Sequence, residues 1–155
     1  MSLREAEVAM IVLVNEVTIV QVDERDSRWE ENHPRYRVYL FGSADETTAG
    51  WTDTYDVTGA DVLQVIDWAQ RQAGDSLTYA VALVYDAVPE QISPGPGRGL
   101  VWLVGMDGND QPTWPGEREV QQRMLARRRE PVSVSLVDRM PPDVPDPYGG
   151  GTRTR

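Results

Sequence analysis

The strongest constraint on the fold is the periodicity of residues 59–73, where Val62, Leu63, Ile66, Ala69 and Ala73 recur at helical spacing. Asp61, Gln64, Asp67 and Arg71 are left on the outward side, while Val65 and Trp68 widen the apolar face as a helix lying flat on a sheet requires. Thr58 can cap this helix, with Asp61 three residues on as a weaker capping box, and Gly74 stands where a left-handed C-cap belongs. Strand-length apolar runs flank it on both sides. Upstream are residues 8–14 and 17–22, which read as two strands or one long one, then Arg35 to Phe41 with Tyr36, Val38 and Leu40 inward, then Trp51 to Val57. Downstream, Leu77 to Ala87 and Gly99 to Met106 read as the centre of the sheet. A more polar helix over 117–129, built on Val120, Met124 and Leu125, and a last strand over Val132 to Val137 complete the pattern. This order predicts an α+β fold: a mostly antiparallel sheet of about five to six strands with two helices on one face.

At 155 residues the chain suits one domain, and Leu, Ile, Val and Phe together make up 35 of them, enough apolar content to build a core. The charged stretch 23–34, residues 42–50 and the Pro/Gly-rich Ser93 to Gly99 read as loops. From Arg139 onward, four Pro, three Gly and a single aromatic, Tyr148, predict a disordered tail, so the expected domain is 1–138 and the tail 139–155. No internal repeat is present. The apolar run Val8 to Val14 is too short to span a bilayer and follows Arg4, Glu5 and Glu7 rather than a basic segment, which leads to the expectation of a cytoplasmic protein.

Composition removes much chemistry. With no Cys there is no disulfide, thiolate metal site or cysteine nucleophile, and with one His, His33, neither a Ser-His-Asp triad elsewhere nor a site of several imidazoles can form within the chain. His33 itself sits in a charged loop before Pro34, a poor setting for a general base. The formal charge of −10 repels phosphate backbones and attracts cationic partners, so nucleic-acid binding is disfavoured. All 15 cations are Arg, and the scarcity of Lys, Phe, Ile and Asn points to a GC-rich bacterial genome.

The sharpest local motif is Leu40-Phe41-Gly42-Ser43 followed by Asp53-Thr54-Tyr55-Asp56. It resembles the nucleotidyltransferase signature of a strand ending in Gly-Ser with an acidic pair downstream. The resemblance implies that Gly42-Ser43 hold nucleotide phosphates, that Asp53 and Asp56 bind Mg²⁺, and that Asp86 supplies a third carboxylate. The family's pair is Asp-x-Asp, which puts both carboxylates on one face of a strand. Asp53 and Asp56 are three apart and point to opposite faces unless a bulge intervenes. Asp107-Gly108-Asn109-Asp110 begins like a calcium loop, but Pro112 and Arg118 stand where that loop needs Gly and Glu. Gly95, Gly97 and Gly99 join two strands and alternate with Pro94 and Pro96, which carry no amide hydrogen for a phosphate.

Two features remain for binding. Trp29, Trp51 and Trp114 fall in or beside loops, as interface anchors or as caps folded back on the core. Arg127 and Arg128 belong to a cationic stretch that makes 111–155 net +2 (eight Arg against six acids), while 1–110 is net −12 (seven Arg against nineteen acids). These Arg residues form a patch for an anion or an acidic partner, or complement the C-terminal dipole of the second helix. The expectation is therefore a small acidic protein-binding module, immunity- or inhibitor-like or an accessory protein. Its partner is basic or a second copy of the chain, and it needs no cofactor or metal. The competing expectation is the Mg²⁺-dependent enzyme built on Gly42, Ser43, Asp53, Asp56 and Asp86.

Overall fold

A computed structural model describes residues 17–42, 50–86, 98–144 and 147. Four strands, β1 (Arg35–Gly42), β2 (Trp51–Val57), β3 (Thr78–Tyr85) and β4 (Gly99–Val104), form one antiparallel sheet in the order β2-β1-β3-β4. Two helices pack against it, α1 (Val62–Ala73) between β2 and β3 and α2 (Pro115–Ala126) after β4. The fold is α+β. The inward set expected for β1 is buried as read: Tyr36, Val38 and Leu40 meet Val65, Trp68, Ala69 and Ala73 of α1 and Tyr79 and Val81 of β3. Trp68 and Tyr55 pack in a T-shaped pair, ring centroids 5.6 Å apart, closing this layer over β2.

The helices do not share a face. Side chains of a strand alternate between faces, and α2 reaches the other parity: Met124 and Val120 pack on Phe41, Tyr39 and Ala80. β3 is consequently covered on both sides and reads as a nearly continuous apolar run, with Tyr79 to Ala82 all buried. β4, expected at the centre, lies instead at an edge. Sequence dictates the ends of α1 closely. Gly59 takes φ +77°, which ends any helical extension upstream, so the N-cap is Asp61 rather than Thr58. The Asp61 carboxylate accepts from Gln64 N–H while the Gln64 side chain accepts from Asp61 N–H, a full capping box.

Three further expectations are corrected. Residues 17–22 form no strand and are exposed, whereas 8–14 lie outside the described residues. Val132 to Val137 forms no strand: the Gln70 side-chain amide donates to Val132 C=O (2.8 Å) and accepts from Val132 N–H (3.0 Å). One amide side chain of α1 thus takes the place of a neighbouring strand, and the chain then enters a 3₁₀ turn at Leu136–Asp138. Finally, Asp67 does not face outward. Met140 is buried in the α1 layer, and its N–H donates to Asp67 Oδ2 (2.9 Å), which also accepts from Arg71 Nη2 (2.8 Å). Asp67, expected outward, is only 4% exposed because it fastens this returning segment.

Candidate functional site

The carboxylates singled out by the motif do not converge. β2 pairs with β1 without a bulge, placing Asp53 opposite Leu40 and Asp56 opposite Arg37, so the two stand on opposite faces of the sheet. Asp56 is taken by arginine: Arg37 forks onto it through Nε (2.6 Å) and Nη2 (3.0 Å), and Arg35 Nε lies 3.6 Å away. Arg35 also bonds Asp86, which receives Arg98 Nε at 3.0 Å as well. The hydrogen-bonded Arg37 guanidinium, with the further positive charge of Arg35 and Arg98, holds the Asp56 carboxyl below the usual carboxylate range. These acids are locked in a chain of ion pairs across the β1, β2 and β3 ends. Among the described residues no group of three or more His, Cys, Asp or Glu could hold a metal ion. Ser43, Gly95 and Gly97 lie outside the described residues, and His33 is exposed, its N–H bonded to Glu31.

The three tryptophans are separated. Trp51 opens β2 and lies half-buried over Gly42, so close that a Cβ there would sit 2.6 Å from the ring. It caps the core. Trp114 precedes α2 and is 65% exposed; Glu117 reaches back from the first turn to accept from the N–H groups of Thr113 and Trp114. Those backbone bonds, chiefly from Thr113, keep the Glu117 carboxyl low. Trp29 is 66% exposed and stands edge-on to Tyr85 (6.4 Å, 89°), at the end of the sheet opposite Trp51. Asp23, Glu24, Asp26, Glu30 and Glu31 surround it in sequence, all exposed.

Arg127 is half-buried and Arg128 exposed, and each has a neighbour in its own chain. Arg127 closes the last turn of α2, its half-buried guanidinium near the Tyr79 hydroxyl, and Arg128 Nη1 donates to Ser76 C=O (3.4 Å). Burial raises the Tyr79 hydroxyl above the usual phenol range. An open groove of about 610 Å³ runs between α1 and residues 132–142, and of its polar lining Asp67 and Gln70 are already spent on holding that segment, Arg71 on Asp67 and Arg139 on Val134 C=O.

Sequence reasoning passed over two features. The Arg35–Arg37–Asp56–Asp86–Arg98 chain was readable only once the register of β1 against β2 and β3 was known. The second is β4: Leu100, Val101, Trp102 and Leu103 are 37–45% exposed, on both faces of an edge strand. The signal was present in the uncharged run Gly-Leu-Val-Trp-Leu-Val, which reads equally as a buried strand.

No protein-family model matches this chain, and no match arises among curated proteins or solved structures. No helix of the described residues is long and apolar enough to cross a membrane.

Proposed function

We propose that the protein is a small acidic, non-enzymatic binding module, of the immunity or inhibitor kind or an accessory protein, and that it docks a basic protein through Trp29. The observation that carries this reading is a large exposed aromatic ring braced by Tyr85 in a stretch, residues 23–31, whose five exposed carboxylates outnumber Arg25 and Arg28. Rigid aromatic side chains supply contact area at low entropic cost, and a ring of like charge steers an oppositely charged partner and sets its approach. Trp114 offers a second, separate exposed ring. The Lys-free composition supports the bacterial setting that, with a cytoplasmic location, is part of the proposal.

Capture from a bacterial lysate on immobilised protein tests it, with Trp29→Ala alongside. A basic protein is expected on the wild-type matrix at low salt, released as ionic strength rises, and bound at least about 30-fold more weakly by the variant, the equivalent of a hot-spot loss of about 2 kcal/mol. Equal retention by both proteins, retention indifferent to salt, or no retained protein overturns the reading.

A further inference from the structure

The groove between α1 and residues 132–142 is a consequence of how that segment is fastened. Gln70 holds Val132, and Asp67 holds Met140. The two fasteners are three residues apart on α1, about 4.5 Å along the helix axis, whereas the eight steps of chain from 132 to 140 could span roughly 26 Å if extended. The surplus chain has to bow away from the helix. The 3₁₀ turn Leu136–Asp138 lies within the bow, and the groove of about 610 Å³ lies beneath it. That volume falls inside the range of roughly 300–1,000 Å³ typical of small-molecule sites.

The lining joins apolar surface to positive charge. Val132, Val134, Leu136, Pro141 and Pro142 supply the apolar part, and Leu136 is left 80% exposed. Its turn is closed by the Ser135 hydroxyl, which donates to Asp138 Oδ2 (2.8 Å), and by Asp138 N–H, which donates to Ser135 C=O (3.0 Å). The charged part is Arg71, Arg139 and Asp67, and the Asp67 carboxylate is buried and paired within the groove wall. Both guanidinium groups are oriented by their own chain. Arg71 Nη2 donates to Asp67 (2.8 Å), and Arg139 Nε reaches from one limb of the bow to Val134 C=O on the other (3.3 Å). A guanidinium carries five N–H donors, and these bonds use one of each. Two cations against one paired carboxylate make a positive recess in a chain of charge −10. We propose that the groove binds a small organic carboxylate with an apolar body. Arg71 and Arg139 take the carboxylate through charge-assisted hydrogen bonds, and the body lies against Val134, Leu136 and the two prolines, removing the Leu136 side chain from water. The groove shares no residue with the Trp29–Tyr85 pair, so this site stands apart from the basic-partner reading.

Octanoate serves as the probe, with octanamide as its uncharged counterpart and acetate as the anion without an apolar body. Each is titrated into the isotope-labelled full chain and followed by the amide resonances. Octanoate is expected to shift the amides of residues 67–71 and 132–140 saturably, and to bind about 10-fold or more tightly than either counterpart. Arg139→Gln, at an exposed position, is expected to weaken octanoate by a similar factor while leaving the spectrum away from the bow unchanged. Arg71→Gln is expected to do the same, although it also takes a partner from Asp67. The comparison of the three probes on the wild type stands even where a variant loosens the bow. Absence of a saturable shift overturns the proposal, and so does octanamide binding as tightly as octanoate, which would leave the guanidinium groups no part in recognition. Shifts centred on the exposed apolar strand β4 rather than on the groove overturn it too, as does an affinity unchanged in Arg139→Gln.

Discussion

Replacing Asp67 by alanine removes an acceptor shared by Met140 N–H and Arg71. The Met140 amide is buried, and a buried donor left without a partner costs about 1–3 kcal/mol. A lower midpoint in urea is therefore expected for Asp67→Ala, with Asp67→Asn, which keeps one acceptor oxygen, in between. Asp56 governs a different property. Its carboxyl is held below the ordinary range, chiefly by the Arg37 hydrogen bonds. A depressed folded-state value adds stability that is present above the unfolded carboxylate's value of about 4 and lost as pH falls through the lower folded one. Stability of the wild type is thus expected to decline below about pH 4. In Asp56→Asn that part of the acid slope disappears, measured as urea midpoint against pH. Neither role was legible beforehand. Asp67 sits at an outward helical position until residue 140 returns to cover it, and Asp56 meets Arg37 only through a register that sequence does not print.

Elements were more readable than single residues wherever one pattern had one structural cause. The alternation of β1 buries Tyr36, Val38 and Leu40 as expected, and the helical spacing in 62–73 buries Ala69 and Ala73 with Val65 and Trp68, although Leu63, expected on the same face, is 42% exposed. Val132 to Val137 failed for a physical reason: alternation reports an extended backbone with a wet and a dry side, and Gln70 satisfies that backbone as well as a strand would. β3 and β4 looked alike as apolar runs, and only the sheet order distinguishes a strand buried on both faces from one at the rim. The opposite placement of the helices was equally invisible, since nothing local tells a helix which face of a distant strand it will meet. Two substitutions probe this scale. Gln70→Ala is expected to raise hydrogen exchange at Val132 and along the segment to Met140 while leaving the central amides of α1 protected. Leu40→Ala, at a fully buried position in the α1 layer, is expected to cost about 2–5 kcal/mol through lost transfer energy and the cavity left behind, read by thermal or urea unfolding.

For the whole molecule, charge and aromatic exposure act together. Sequence arithmetic established the acidity and named the tryptophans, but which ring is wet depends on what lies beneath it: Gly42 leaves room for Trp51 to fold down, and Tyr85 only braces Trp29 from the side. Association with a cationic partner is expected to slow about 10-fold or more as ionic strength rises from low to physiological, since steered on-rates fall steeply with salt, and stopped-flow fluorescence of Trp29 would follow it. The position of β1 between β2 and β3 carries a consequence for how the chain reaches this state. The β1–β2 hairpin is a short-range event on the microsecond scale, whereas joining Arg35 to Val84 requires the chain to double back across α1. The slow step of folding is then the arrival of β3, with α1 docked beside it. Trimming residues at the β1–β3 seam, such as Val38 and Val81, is therefore expected to slow folding, and trimming β4 or the segment fastened by Gln70 to speed unfolding instead, read from the two arms of a denaturant chevron.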